Sequence, residues 1–247
     1  MLPDSATLVA IVAVALAGFV GGFAGFGGAM IFMPVASALI EPRVAAASFL
    51  VTSTVLMMPL VWSAMRICAW RTVLPASIGA TLTVPLGAAV LAIGDPVAIR
   101  WAISAVVLGL LALMMSGWRY AGQPGPVVAT GVGGVSGLLG GLAQIAGPPV
   151  IVFWMSGPNT SVTVRANLIS FFTIVSASSF AAYAWNGFFT VEAMRQTLML
   201  APAYGIALFL GARMFRRASE RGYRRLAYAI IATAAVSSLP LLDGLLR

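Results

Sequence analysis

The chain has 247 residues, of which 61% are hydrophobic and 8% charged, and its mean hydropathy is +1.02, too apolar for a water-soluble domain to cover itself with polar surface. Its formal charge of +8 comes from 14 arginines set mainly between apolar runs, which is how topology signals are distributed and argues against a nucleic-acid partner. With Cys68 as the one cysteine and no histidine, an intrachain disulfide, a metal cluster and redox chemistry are excluded, and neither an enzyme nor a cofactor is expected.

Long apolar runs stand where a barrel would show two-residue alternation, so the fold class expected is an all-α polytopic membrane protein. Met1-Leu2-Pro3-Asp4-Ser5 lacks the basic start of a secretory signal and is read as part of a mature first span. The first apolar run covers roughly residues 6–40, which as one helix would be about 50 Å long against a ~30 Å hydrocarbon core. A break is therefore expected at Gly25, Gly27 and Gly28, where helix propensity collapses, with a second short helix over about 29–40 that continues through Pro34. Spans follow at about 44–65, with a kink at Pro59, at about 72–93, and, after the Gly94-Asp95-Pro96 turn, at about 97–117. The turn-rich stretch 118–126 joins two halves. Beyond it come a second broken run over about 126–156, the Gly157-Pro158-Asn159 turn, and spans at about 164–185, 191–212 and 226–242. Six arginines, Arg213, Arg216, Arg217, Arg221, Arg224 and Arg225, crowd the last loop and are expected to face anionic lipid on the cytoplasmic side.

The second half repeats the first. Gly18, Gly21, Gly22 and Gly28 align with Gly137, Gly140, Gly141 and Gly147, while Gln144 and Ala146 replace Gly25 and Gly27. After a three-residue insertion, Arg43, Ser48 and Phe49 align with Arg165, Ser170 and Phe171. Two homologous halves are expected, 1–117 and 126–247, with 118–125 between them, each a glycine-broken helical hairpin followed by three transmembrane helices. If each broken run is a hairpin, the halves are inverted and the arginines divide ten to four across the membrane; if each crosses once, the halves are parallel and the division is nine to five. Positive charge on the cytoplasmic side and the length of the broken runs both favour inverted repeats.

A helix that begins inside a membrane leaves its first N–H groups without intrahelical partners, and these, with the helix dipole, suit an anion. Paired broken helices in corresponding halves are also the best pointer in a sequence to a transporter's midplane site. Pro148 and Pro149 fit the first turn of such a helix. Glu41, Asp95, Glu192, Glu220 and Asp243 all fall at turns or ends, so no carboxylate is placed to hold a cation. The candidate substrate-binding residues are Gly25, Gly27, Gly28, Arg43, Gln144, Gly147, Pro148, Pro149, Arg165 and Asn167. Competing structural roles stay open for them: Arg43 and Arg165 as snorkelling anchors, and Gln144 as an interhelical hydrogen-bond former. The glycine pairs Gly18/Gly22, Gly21/Gly25 and Gly137/Gly141 read first as close-packing surfaces, and Ser48 and Ser170 as backbone-bonded helix residues.

The stretch Gly137-Leu138-Leu139-Gly140-Gly141-Leu142-Ala143-Gln144-Ile145-Ala146-Gly147-Pro148-Pro149-Val150, followed by Arg165-Ala166-Asn167 and echoed in the first half, resembles the TauE/SafE-type sulfite exporter family of membrane permeases. That resemblance covers essentially the whole chain. It implies secondary transport of small sulfur-containing or organic anions, such as sulfite, sulfoacetate or other sulfonates, across a bacterial inner membrane. The departure at Gln144 and Ala146 implies a less symmetric site. Expected partners are a small anionic substrate, the lipid bilayer and a second copy of the chain in a homodimer. A passive anion channel is the alternative function, with a non-transport membrane protein behind it.

Overall fold

A computed structural model describes residues 5–116, 125–156 and 160–214. Within them the chain is helical throughout: α1 Ser5–Ala24, α2 Gly28–Leu39, α3 Pro42–Met65, α4 Trp70–Ile93, α5 Pro96–Met115, α6 Pro126–Ala143, α7 Gly147–Ser156, α8 Ser161–Trp185 and α9 Val191–Met214. Six of these, α3, α4, α5, α6, α8 and α9, are long and apolar enough to cross a membrane. The join at 117–124, the turn at 157–159, the span expected at about 226–242, and Arg119, Arg216, Arg217, Arg221, Arg224, Arg225 and Arg247 lie outside the described residues.

Local chemistry sets the helix starts. Pro42, Pro96 and Pro126 occupy first-turn positions, where a missing N–H costs nothing and the fixed φ suits the helix. The Asp95 carboxylate accepts from the N–H groups of Val97 and Ala98 at 2.9 and 3.0 Å, and the Thr160 hydroxyl accepts from Thr163 N–H at 3.2 Å; each satisfies otherwise orphaned donors. Pro34, Pro59, Pro75, Pro85 and Pro202 all sit inside helices that continue past them.

Both expected breaks are present. Gly25 and Gly27 have φ of 78° and 88°, and Gln144 has φ of 60°, the left-handed region that ends a right-handed helix. At the first break the chain turns back on itself, so that Gly28 lies against the Ala17 carbonyl and Gly27 against Val20. That is a hairpin and not a kinked single span.

Helix pairing crosses between the halves. α1 packs along α9 and α6 along α4, while α3 lies on α9 as α8 lies on α4, with α3 and α8 meeting between them. Glycine makes the two longest contacts possible. On α6, Gly133, Gly137 and Gly141 press against the backbone of Ala76, Ala80 and Val84 on α4; on α1, Gly18 and Gly22 press against Tyr204 and Leu208 on α9. A Cβ at Gly18 would stand 2.5 Å from the Tyr204 carbonyl oxygen, inside any permitted contact. Small-residue stripes of this kind let helix backbones approach where lipid removes the hydrophobic incentive to associate.

Candidate functional site

The breaks face each other across one cavity of about 350 Å³, within the ~300–1,000 Å³ range of small-molecule sites. Gly25, Gly27 and Gly28 line it from the first break, and Gln144, Gly147 and Pro148 from the second. The side walls come from α3 (Phe49, Ser53, Thr54 and Met57), α8 (Ile169, Phe172, Thr173 and Ser176) and Tyr204 of α9. Phe26 and Phe172 both lie beside Gly147, at 3.7 and 3.4 Å from where its Cβ would be, so the two tips are in near contact.

Depth follows from helix length. α2 runs 12 residues from Gly28 to Leu39, beside the charged Glu41 and Arg43, and α7 runs 10 residues from Gly147 to Ser156. At ~1.5 Å per residue these are about 18 and 15 Å, close to half a ~30 Å hydrocarbon core. The charged Glu41 and Arg43 thus lie about half a hydrocarbon-core thickness along the chain from the α2 tip. No side chain caps α2, so its first N–H groups are available there.

Four sequence-nominated residues stand away from the cavity lining. The Arg43 Nε donates to the Leu91 carbonyl at 3.2 Å and pairs with Glu41 at 3.5 Å, near the C-terminus of α4. The Arg165 Nη2 donates to the Gly22 carbonyl at 2.9 Å, placing a cation at the C-terminal end of α1, where the helix dipole is negative. Asn167 is fully buried, and its Oδ1 accepts from Ala69 N–H at 2.7 Å, at the N-terminus of α4. Arg165 and Asn167 therefore tie helix ends of one half to the other. Pro149 belongs to α7 but does not line the cavity.

Gln144 combines two roles. Its Nε2 donates to the Gly140 carbonyl and to the Tyr183 hydroxyl, both at 3.1 Å, and Tyr183 in turn donates to the Gly141 carbonyl at 2.8 Å. The phenol has one proton, already given to Gly141, so the amide must present its NH₂ to that oxygen. This fixes the orientation of the side chain at the cavity wall. The sequence did not single out Tyr204, Phe172, Thr173 or Ser176. Ser53 and Thr54 are hydroxyls within an otherwise apolar span, and nothing local marks Tyr204, which α9 delivers to the first break from the other half.

Residues 10–238 match the family described as sulfite exporter TauE/SafE. The chain belongs to that family. It is also 30% identical over 223 residues to the "Probable sulfite/organosulfonate exporter TauE" of Cupriavidus necator, covering 84% of this chain and 83% of the relative. No solved structure matches it. TauE/SafE membership makes the chain a multi-pass membrane protein of a transporter class, with a small substrate and the bilayer as its partners.

Proposed function

We propose that the chain is a secondary transporter of small sulfur-containing or organic anions, sulfonates foremost, which binds its substrate between the two helix breaks and alternates access by movement of one half against the other. The observation that carries this reading is the convergence of both breaks on one cavity: an uncapped helix N-terminus reaches it, as in transporters with broken helices. The name of the Cupriavidus relative supports the sulfonate class, and family membership supports a bacterial inner membrane as its location.

Helix directions support inversion of the halves. Gly18 and Gly22 meet Tyr204 and Leu208 in the same order, so α1 and α9 run parallel; Gly133, Gly137 and Gly141 meet Ala76, Ala80 and Val84 in order, so α6 and α4 do too. Asn167 bonds Ala69, and Ser178 bonds Thr81, so α8 also runs with α4. A short connector separates α8 from α9, and consecutive membrane-crossing helices so joined cross in opposite directions. α1 and α6 then oppose each other, as inverted repeats require.

Transport by the purified protein in liposomes tests the reading. Gly147 has ordinary φ and ordinary van der Waals space at its Cβ position, with the Ile151 and Phe172 side chains at 3.4 Å. Gly147→Ala should therefore transport nearly as the parent does. Gly147→Leu, whose side chain would fill the space between the tips, should cut ethanesulfonate counterflow at least tenfold while the protein still inserts and melts normally. Undiminished counterflow in Gly147→Leu would remove the cavity from the pathway, and single-channel currents would replace the carrier with a pore.

A further inference from the structure

The two tips that face the cavity are unequal. α2 opens with Gly28-Ala29-Met30, three residues that each carry an N–H, whereas α7 opens with Gly147-Pro148-Pro149, of which Gly147 alone does. The prolines that start α7 so readily also strip its first turn of donors. An anion thus finds its backbone donors at α2.

A second feature points to the same pole. Tyr204 is 1% exposed and lines the cavity, with its ring edge-on to Phe49 at 5.9 Å and 88°; Phe49 in turn lies 3.3 Å from the Cβ position of Gly28. Buried phenols ordinarily find a hydrogen-bond partner, as Tyr183 does with Gly141 and Gln144. Among the described residues the Tyr204 hydroxyl has none. The buried Thr54 Oγ1, on the same cavity, is also without a partner. Thr52, Ser77, Ser136, Ser170 and Ser179 also carry buried hydroxyls without a partner, and what sets Tyr204 and Thr54 apart is that they line the cavity, where a ligand can supply the missing bond.

The wall changes character along α3. Phe49 stands at the α2 tip, Ser53 and Thr54 follow one turn on, and Met57, Met58 and Val61 extend the lining by two more turns. From Phe49 to Val61 is about 18 Å along the helix, from the donor pole to a purely apolar surface.

Building on the transport reading, we infer that the cavity holds an organic anion in one orientation, its charged oxygens at the α2 N-terminus with the Tyr204 and Thr54 hydroxyls, and its alkyl group along α3 toward Met57, Met58 and Val61. Tyr204 is then a substrate-contacting residue that sets affinity for the headgroup, and the methionine face sets preference for the tail. The ligand class is an alkanesulfonate or a similarly amphiphilic monoanion, and a bare inorganic oxyanion uses only one end of the site.

Calorimetric titration of the purified protein with methane-, ethane-, propane- and butanesulfonate separates the parts. Each added methylene should tighten binding about fourfold. Tyr204→Phe, which keeps the ring and its contact with Phe49, should weaken every member about tenfold or more, since a hydrogen bond to a charged group is lost, and should leave the chain-length slope unchanged. Met57→Ser with Met58→Ser should flatten the slope and leave methanesulfonate affinity as it was. Thr54→Val reads the same pole should Tyr204→Phe fail to fold, and it too should weaken all members equally. Sulfonate binding unchanged in both hydroxyl variants, or a flat slope in the parent, overturns the oriented site while leaving the transport reading intact. Absence of any sulfonate binding to the parent protein overturns the transport reading itself.

Discussion

At the scale of single residues, Gln144 is the most informative. It is the one non-glycine residue with positive φ among those described, and it aligns with Gly25, which holds the same left-handed conformation at φ 78°. An L-residue there costs about 1–2 kcal/mol relative to glycine, whereas its two side-chain hydrogen bonds, to Gly140 and Tyr183, each contribute about 0.5–1.5 kcal/mol. The terms nearly cancel. Gln144→Gly should therefore change stability by less than about 1 kcal/mol, because relief of strain offsets the lost bonds. Gln144→Ala keeps the strain, loses the bonds and leaves the Tyr183 oxygen a donor short, so it should destabilise by about 1–3 kcal/mol. Thermal melting of the two variants in one detergent checks the order; Gln144→Ala at or above Gln144→Gly would remove the strain argument.

At the scale of elements, α6 carries glycines with opposite jobs on two faces. Gly131 has open space at its Cβ position, while a Cβ on Gly141 would collide with the Val84 carbonyl and stand 2.8 Å from the Ala88 nitrogen. Gly131→Ala should raise stability by up to about 1 kcal/mol through helix propensity, and Gly141→Ala should lower it by about 1–3 kcal/mol through forced separation from α4; melting both single variants tests the pair. The contrast also marks how far the sequence could be read. The helices, the two breaks and the close-packing use of Gly18/Gly22 and Gly137/Gly141 follow from glycine spacing and span length, both of which act locally. Arg43 and Arg165 matched in sequence, yet one reaches the end of α4 and the other the end of α1, because the helix end within reach of each is fixed by tertiary packing. Tyr204 was illegible for the same reason: its value comes from lying beside Phe49 on α3, far away along the chain. The prolines of α7 were legible as helix starters, and their cost in donors becomes important only once a cavity is seen to need them.

At the scale of the whole molecule, the exchange of partners between halves, α1 with α9 and α6 with α4, means that neither half closes its own core. Each contributes a hairpin that the other half's helix covers, so in the proposed cycle a movement of one half against the other would act on these glycine-lined contacts. The same arrangement makes orientation testable through two loops inside the described residues. Ile67, between α3 and α4, is half-exposed, and Val191, at the start of α9, is almost fully exposed. With inverted halves these loops lie on opposite sides of the membrane, and the positive-inside rule puts Ile67, flanked by Arg66 and Arg71, in the cytoplasm; with parallel halves both lie on one side. In a Cys68→Ser background, which removes the native thiol, Val191→Cys in intact cells should react with a membrane-impermeant maleimide, and Ile67→Cys should react only after the membrane is opened. Labelling of both positions from the same side would exclude inversion. The two tips would then no longer be related by an axis in the membrane plane, and alternating access by exchange of the two halves' conformations would lose its structural basis.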